Sequence, residues 1–198
     1  MALKKNIIFI FIACCFIFLG DLHAISNQAT VPLNITVLGK LVITDANNDN
    51  KSGLNQNQNV LLKVTPDINN SVVSGSSAIR IRTNLNTWKL TAQRNDSSSQ
   101  INIDPKDILL SFSTQAGANA NPNAGKLLSP FDRTSDLSHI STNSPSDILL
   151  GNGKTSLQKD PDNKNNWFQL TSNYSISPDF FYETGEWNTT VSYSLVSP

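Results

Sequence analysis

One run of oxygen-bearing side chains is the first candidate for chemistry in this sequence. Asp45, Asn47 and Asp49 stand at alternate positions, the spacing with which the first half of a calcium loop presents its ligands. The pattern departs from that loop, since Asn50 replaces the glycine of the sharp turn and Gln56 replaces the closing glutamate. A solvated hairpin loop accounts for the same residues. Calcium is therefore a weak candidate, and no other metal or cofactor is predicted.

Two further groups contain the residue types that hydrolases use. His139 follows Asp136 and Ser138, which together supply the residue types of a hydrolytic triad. Glu183 and Glu186 are the only glutamates and offer a carboxylate pair for glycoside hydrolysis. Triads are assembled from separate elements, and glycosidase carboxylates face each other across a cleft. Neighbours within one loop or one turn meet neither requirement, so we predict no catalytic residue, with a secreted hydrolase as the least favoured alternative.

Aromatic residues cluster towards the C-terminus, in Phe180-Phe181-Tyr182 and at Trp187. Such clusters can stack on sugar rings or anchor a protein interface. The simpler interpretation, which we favour, is that they fill the core between the last two strands. Tyr182 and Trp187 are then the residues most expected to stay partly exposed, and they are the predicted residues for binding a ligand or partner.

The first 24 residues have the layout of a secretory signal peptide. Two lysines precede an apolar run over 7–20, and a short polar exit ends in the small residue Ala24. The run is shorter than the ~20 residues that a membrane-spanning helix needs, so cleavage near Ala24 is expected. The mature chain, 25–198, would be secreted and associated with the cell surface, without a membrane span. An uncleaved anchor is the main alternative.

Cysteine usage and charge narrow the function classes further. Cys14 and Cys15 both lie inside the apolar run, so the mature chain has no disulfide and no thiol nucleophile unless Cys14 carries a lipid anchor. Without the leader, the totals of 15 basic and 15 acidic residues become 13 and 14. A near-neutral surface lacks the basic face that nucleic acid requires and argues equally against docking on anionic lipid.

Alternating apolar and polar residues predict about eight to ten short strands in the mature chain. Val191, Tyr193 and Leu195 share one parity of the last strand, and Trp88 and Leu90 share one parity of an earlier strand, so these five are predicted core residues. Strands with one dry face close in pairs of sheets. The predicted fold class is all-β, an Ig-like antiparallel β-sandwich of Greek-key type, with a closed barrel as the alternative.

One long connection, 114–147, contains three prolines and little strand pattern. Connections beyond ~15 residues are uncommon and are usually functional or disordered. We expect a mobile surface loop whose middle is held at Leu127-Leu128 and Phe131. No linker or repeat interrupts the sequence, so 25–198 is predicted to form one domain.

Two segments contain related tripeptides. The segment 79–92 carries Trp88-Lys89-Leu90 within a predicted strand-turn-strand, and 182–195 has a glycine turn before a Thr/Val strand that ends in Tyr193-Ser194-Leu195. Together they resemble WxL-type bacterial cell-surface domains, with the second segment similar to their closing hairpin and Tyr in place of its Trp. The resemblance covers about half of the mature chain. It implies an Ig-like sandwich attached non-covalently to a Gram-positive cell wall.

These observations predict an exported, non-catalytic module of the cell surface or matrix that binds cell-wall glycan or a surface protein. The alternative is a structural subunit of a fibre or pilus, which would self-associate by adding a strand to a sheet edge.

Overall fold

The computed structural model describes residues 35–52, 60–66, 68–69, 71–97 and 99–197. Contacts within the chain divide it after Val37, and the fold presented below is that of the unit Leu38–Pro198. The predicted signal peptide and its cleavage position lie outside the described residues. In the part of the chain that is described, no helix has the length and hydropathy to cross a bilayer.

Ten strands make up the described fold. In chain order they are β1 Leu41–Asp45, β2 Asn48–Ser52, β3 Val73–Thr83, β4 Thr87–Asp96, β5 Ile108–Ala116, β6 Gly125–Leu127, β7 Ser135–Asp136, β8 Ser146–Asn152, β9 Phe168–Ile176 and β10 Thr189–Val196. Two short 3-10 turns, Pro105–Asp107 and Leu137–His139, are the only helical segments among the described residues.

The strands form two antiparallel sheets that pack face to face. The first sheet has the order β2-β1-β3-β9-β5-β7 and the second has the order β10-β4-β8-β6. From β3 onward every connection passes from one sheet to the other, so paired strands are distant in sequence, as expected for Greek-key connectivity. The predicted all-β sandwich is confirmed. The barrel alternative is not formed, because no described strand pairs one sheet with the other.

The closing hairpin expected from the resemblance is absent from the described residues, because β9 and β10 lie in opposite sheets. β10 pairs with β4, from Lys89 opposite Val196 to Asp96 opposite Thr189. Leu195 therefore lies opposite Leu90, so the two W-x-L-like tripeptides meet at their leucines, and Tyr193 lies opposite Ala92. Gly185 lies in the loop 177–188, where an added Cβ would come within 2.5 Å of Ile101 Cγ2.

The core is built around Trp88. Its side chain is fully buried, its indole Nε1 donates a 2.8 Å hydrogen bond to the Gly153 carbonyl oxygen, and its ring meets Phe168 edge to face at 6.4 Å. Gly151 makes room for the indole, since a Cβ there would lie 2.1 Å from Trp88 Cδ2. Leu90 is equally buried. Because the indole N–H is satisfied internally, this tryptophan serves packing.

The inward face of β10 covers one side of the core. Val191, Tyr193 and Leu195 are half-buried there and pack against the buried residues of both sheets. The Tyr193 hydroxyl lies 2.8 Å from the Ser172 hydroxyl and 3.4 Å from that of Tyr174. Burial raises the pKa of Tyr193 well above its ordinary value, so its hydroxyl stays neutral between the sheets.

The connection from β5 to β8 covers 117–145, five residues fewer than the predicted 114–147, and it is packed into the fold and is not a surface loop throughout. It adds β6 to the second sheet and β7 to the first. Five of its side chains are buried: Ala120, Ala124, Phe131, Leu137 and Ile140. The predicted anchor Phe131 meets Phe112 edge to face at 5.7 Å. The sequence pattern hid this packing because turns present the buried side chains at irregular spacing.

Candidate functional site

A cleft of about 720 Å³ opens between the sheets beside β10. The inward-facing Val191 of β10 lines it, together with Tyr174 and Ile176 from β9 and Ile108 from β5. Among the described strands β10 pairs only with β4, so β10 is the last strand of the second sheet. The cleft, called here the β10 cleft, therefore has the first residues of an edge strand, Thr189 and Val191, beside it and an apolar floor.

An extended segment, 60–66, also lines the β10 cleft. Val60, Leu62 and Val64 are half-buried, whereas the residues between them are exposed. A Cβ on Gly75 would lie 2.7 Å from Val60 Cγ1 and 2.9 Å from Leu62 Cδ2, so the segment lies directly on β3. The burial thus has the period of two that is typical of a strand, but no ladder joins 60–66 to another described strand.

The loop 177–188 brings two of the predicted binding residues to the cleft. Tyr182 and Trp187 both line it and are half-buried. Burial and a hydrogen bond to the Asp107 side chain raise the pKa of Tyr182 to about 12. Its hydroxyl is therefore protonated at neutral pH and donates to that carboxylate. Trp187 also lines a second recess of about 540 Å³, so it stands between two concave surfaces.

Phe180 and Phe181 do not fill the core as expected, since they are 73% and 86% exposed. The reason is local, because β9 ends at Ile176 and the chain then turns away from the sheets. The Asp179 carboxylate accepts a 2.8 Å hydrogen bond from the Phe181 backbone N–H and holds this turn. The prediction that the whole aromatic cluster is core was wrong for these two residues.

Backbone contacts hold the loop 177–188 in place beside the cleft. The Glu186 carbonyl oxygen accepts hydrogen bonds from the backbone N–H groups of Gln100 at 2.8 Å and of Ile101 at 3.4 Å. The Glu186 N–H donates to Gln100 Oε1 at 3.3 Å. Glu183 and Glu186 both line the β10 cleft and are exposed. The two carboxylates therefore stand on the rim, where they add negative charge.

The calcium candidates are engaged in other contacts. The Asp49 carboxylate accepts hydrogen bonds from Arg80 Nη1 at 2.8 Å, from Arg82 Nη2 at 2.6 Å and from the Thr44 hydroxyl at 2.6 Å. The Arg82 hydrogen bond is the main cause that lowers the pKa of Asp49 far below its ordinary value, against the opposing effect of burial. Asp45 Oδ1 accepts from the Asn47 backbone N–H at 2.7 Å. Two guanidinium groups occupy the place where a cation would bind Asp49.

The triad residues are close together, but in the geometry of a turn. The Ser138 hydroxyl bonds the Asp136 carboxylate, and the Ser138 N–H donates to the same oxygen at 3.0 Å. His139 Nδ1 lies 3.3 Å from that carboxylate. Burial acts to raise the pKa of Asp136, but the bonds from Ser138 and the charge of His139 outweigh it and leave the pKa lowered. These contacts cap the 3-10 turn Leu137–His139.

Sequence reasoning selected Tyr182 and Trp187 but missed the rest of the β10 cleft. Its other lining residues come from segments that are far apart in the chain, and each segment alone has the pattern of an ordinary strand. The cleft forms because β10 is the last strand of its sheet, and the sequence pattern does not show which strand is last. No protein-family model matches this chain, and no curated protein matches it.

Proposed function

We propose that this protein is an exported, non-catalytic binding module of the cell surface or matrix, and that its β10 cleft holds cell-wall glycan or a segment of a surface protein. The observation that carries the proposal is the pairing of a half-buried Tyr182 and Trp187 with a sheet edge and an apolar floor in one cleft. Aromatic rings beside a concave surface suit both sugar rings and apolar side chains.

The size and chemistry of the cleft support binding. A volume of about 720 Å³ falls within the roughly 300–1,000 Å³ typical of ligand sites. Ile108, Ile176 and Val191 supply apolar surface, and the edge of β10 supplies backbone donors and acceptors. An extended polypeptide uses both kinds of contact, which favours the protein segment over the glycan.

The candidate catalytic groups support the non-catalytic part of the proposal. Among the described contacts, the Ser138 hydroxyl bonds Asp136 and His139 Nδ1 also contacts Asp136, so the imidazole is not placed between serine and carboxylate as in a triad. Glu183 and Glu186 stand together on the exposed loop 177–188, whereas the carboxylates of a glycosidase face each other across a cleft.

The test is retention of purified protein on the envelope fraction and on purified peptidoglycan of its own cells. We expect Trp187→Ala to weaken retention by more than about tenfold, as the loss of an interface anchor does. Phe181→Ala is the matched control, since it removes an exposed aromatic ring of the same loop and should retain binding. Circular dichroism should show that both variants keep the β-sheet fold. Recovery of neither wall material nor a surface protein would overturn the proposal.

The alternative function, a structural subunit that assembles by strand addition, is favoured by one specific observation. β10 is an eight-residue strand at the end of its sheet, with pairing on one side only among the described residues. Long edge strands of this kind are templates for an added strand.

A further inference from the structure

The residues that precede β1 have the pattern of a strand. Apolar residues at odd positions alternate with proline, asparagine and threonine at even positions over Val31, Pro32, Leu33, Asn34, Ile35, Thr36 and Val37. In the described part of this segment, Ile35 is 76% exposed and Val37 is 78% exposed. Leu38, which follows, is 79% exposed. Ile35, Val37 and Leu38 are thus apolar side chains that nothing among the described residues covers.

The four sheet edges differ in length. β2, β6 and β7 end their sheets with five, three and two residues, whereas β10 ends its sheet with eight. Short edge strands are one of the ways in which proteins prevent unwanted pairing. Among the four strands that end the described sheets, β10 is therefore the longest template for another strand, and its residues Thr189 and Val191 line the β10 cleft.

We propose that the β10 cleft accepts residues 31–38 of a second copy of this chain as an added strand. The proposal rests on the β10 cleft being the binding site proposed above, and it names the partner. The segment has eight residues, as β10 does, and each spans about 27 Å at ~3.4 Å per residue. Its backbone pairs with β10 while its apolar side chains cover Tyr174, Ile176 and Val191.

The chemistry of the segment fits this position. No charged residue occurs from 25 to 39, so no charge has to leave water when the strand enters the cleft. Asn34 and Thr36 remain on the face turned towards solvent. Pro32 lacks a backbone N–H. Because Pro32 is the second residue of the segment, the missing N–H removes at most one ladder hydrogen bond.

The occupant is a second copy of the chain, because each copy carries both a strand-like segment and an open cleft. Leu38 and Lys40 are held on the arch between β3 and β4, where Asn84 Nδ2 donates to the Leu38 carbonyl oxygen and the Lys40 N–H donates to Asn84 Oδ1, both at 2.8 Å. Ile35, Val37 and Leu38 are exposed, and the cleft is open among the described residues. Each copy can therefore donate its segment to the next, a head-to-tail contact that produces a linear assembly.

The first experiment measures the association state of the expected mature chain by sedimentation velocity over a wide range of concentration. We expect oligomers that grow with concentration. The double variant Ile35→Asp/Val37→Asp should remain monomeric, because two carboxylates would face the apolar floor of the cleft. The matched control, Asn34→Asp/Thr36→Asp, adds the same charge on the solvent-facing parity and should still assemble.

The second experiment titrates a labelled peptide of residues 30–38 into the Ile35→Asp/Val37→Asp protein, whose cleft is intact. We expect saturable binding, and a peptide carrying the same two aspartates should bind more than about tenfold more weakly. A Val191→Asp change in the protein should weaken binding of the unmodified peptide. Peptide binding measures the affinity of the cleft directly. The result therefore does not depend on whether the protein itself assembles.

Three outcomes would overturn the inference. One is equal behaviour of the two double variants, which would mean that charge and not strand parity controls assembly. Another is a chain that stays monomeric at every concentration while the peptide binds only the Ile35→Asp/Val37→Asp protein, which would place the segment in its own cleft. The third is absence of both assembly and peptide binding. Retention on envelope material that depends on Trp187 would in that case leave the proposed function standing.

Discussion

The two sheets end in opposite ways at β2 and at β10. At the β1–β2 side, the Asp49 carboxylate joins Arg80 and Arg82, and the Arg80 guanidinium stacks over the Trp167 ring at 4.0 Å. At the β10 side the sheet ends in a long strand beside an apolar cleft. The charged groups of the first region are paired within the chain. The second region has an edge strand and an apolar floor that stay open among the described residues.

The difference between the two edges shows which region of this fold is suited to binding. Charged side chains that already pair with each other gain little free energy from a charged ligand, because the ligand would have to replace an existing partner. Backbone groups at a sheet edge and apolar side chains in a cleft gain most when another chain covers them. We therefore expect substitutions at the β1–β2 side to change stability and substitutions at the β10 cleft to change binding.

The largest expected effect is a difference in stability between alanine substitutions of two tryptophans. Trp88→Ala should lower the free energy of unfolding by about 3–5 kcal/mol, because it empties the centre of the core. Trp187→Ala should cost about 1 kcal/mol or less, since its side chain is only half-buried. Urea denaturation of both variants measures the difference. Equal costs would show that the β10 cleft is part of the core and not a binding surface.

The next effect concerns Asp49. Asp49→Asn should cost about 2 kcal/mol, between the values of exposed and buried ion pairs, because two guanidinium groups lose their shared carboxylate at a site about 21% exposed. Glu186→Gln makes the same chemical change on the rim of the cleft and should stay within about 0.5 kcal/mol of the parent. The comparison between the two edges would be wrong if Glu186→Gln were the costlier change.

A smaller effect should appear in the pH dependence of stability. The folded pKa of Asp49 lies below its unfolded value of about 3.9, so its contribution is complete above that value. This stability is lost as the pH falls from the unfolded pKa, about 3.9, through the folded pKa. The difference in unfolding free energy between the parent and Asp49→Asn, measured from pH 7 downward, should therefore shrink. A difference that grows with acid would contradict the ion-pair assignment.

The smallest effect is expected at the exposed aromatic turn. Phe181→Ser removes a ring that is 86% exposed, so its free energy of unfolding should change by no more than about 0.5 kcal/mol. Thermal unfolding followed by circular dichroism measures this. A larger loss would mean that the contact between Phe181 and Tyr182, edge to face at 6.4 Å, supports the loop that carries Trp187.

Much of the fold was predictable because period-two burial is a local property of a strand. The alternation in β4 and β10 predicted strands that the structure contains, and the inward parity of Trp88 and Leu90 is the buried one. The packed connection over 117–145 was not predictable in the same way, since its buried side chains lie on turns without a period.

The candidate site was predictable only in part. Tyr182 and Trp187 were selected by residue type, and both line the cleft. The aspartate pattern that suggested calcium gave no sign of the arginines, since it is the register of β1 on β3, with Thr44 opposite Arg80 and Val42 opposite Arg82, that brings two guanidinium groups to Asp49. Secretion and attachment to a cell surface remain predictions.

The sequence by itself determined the class of structure, since alternating burial and plentiful turn formers dictate strands, and strands with one dry face must close as two layers. The tertiary structure alone decided which strand ends each sheet and which residues meet there. Those outcomes depend on pairing between segments tens of residues apart, as of β3 with β9 and β4 with β10, and no local pattern encodes such a choice.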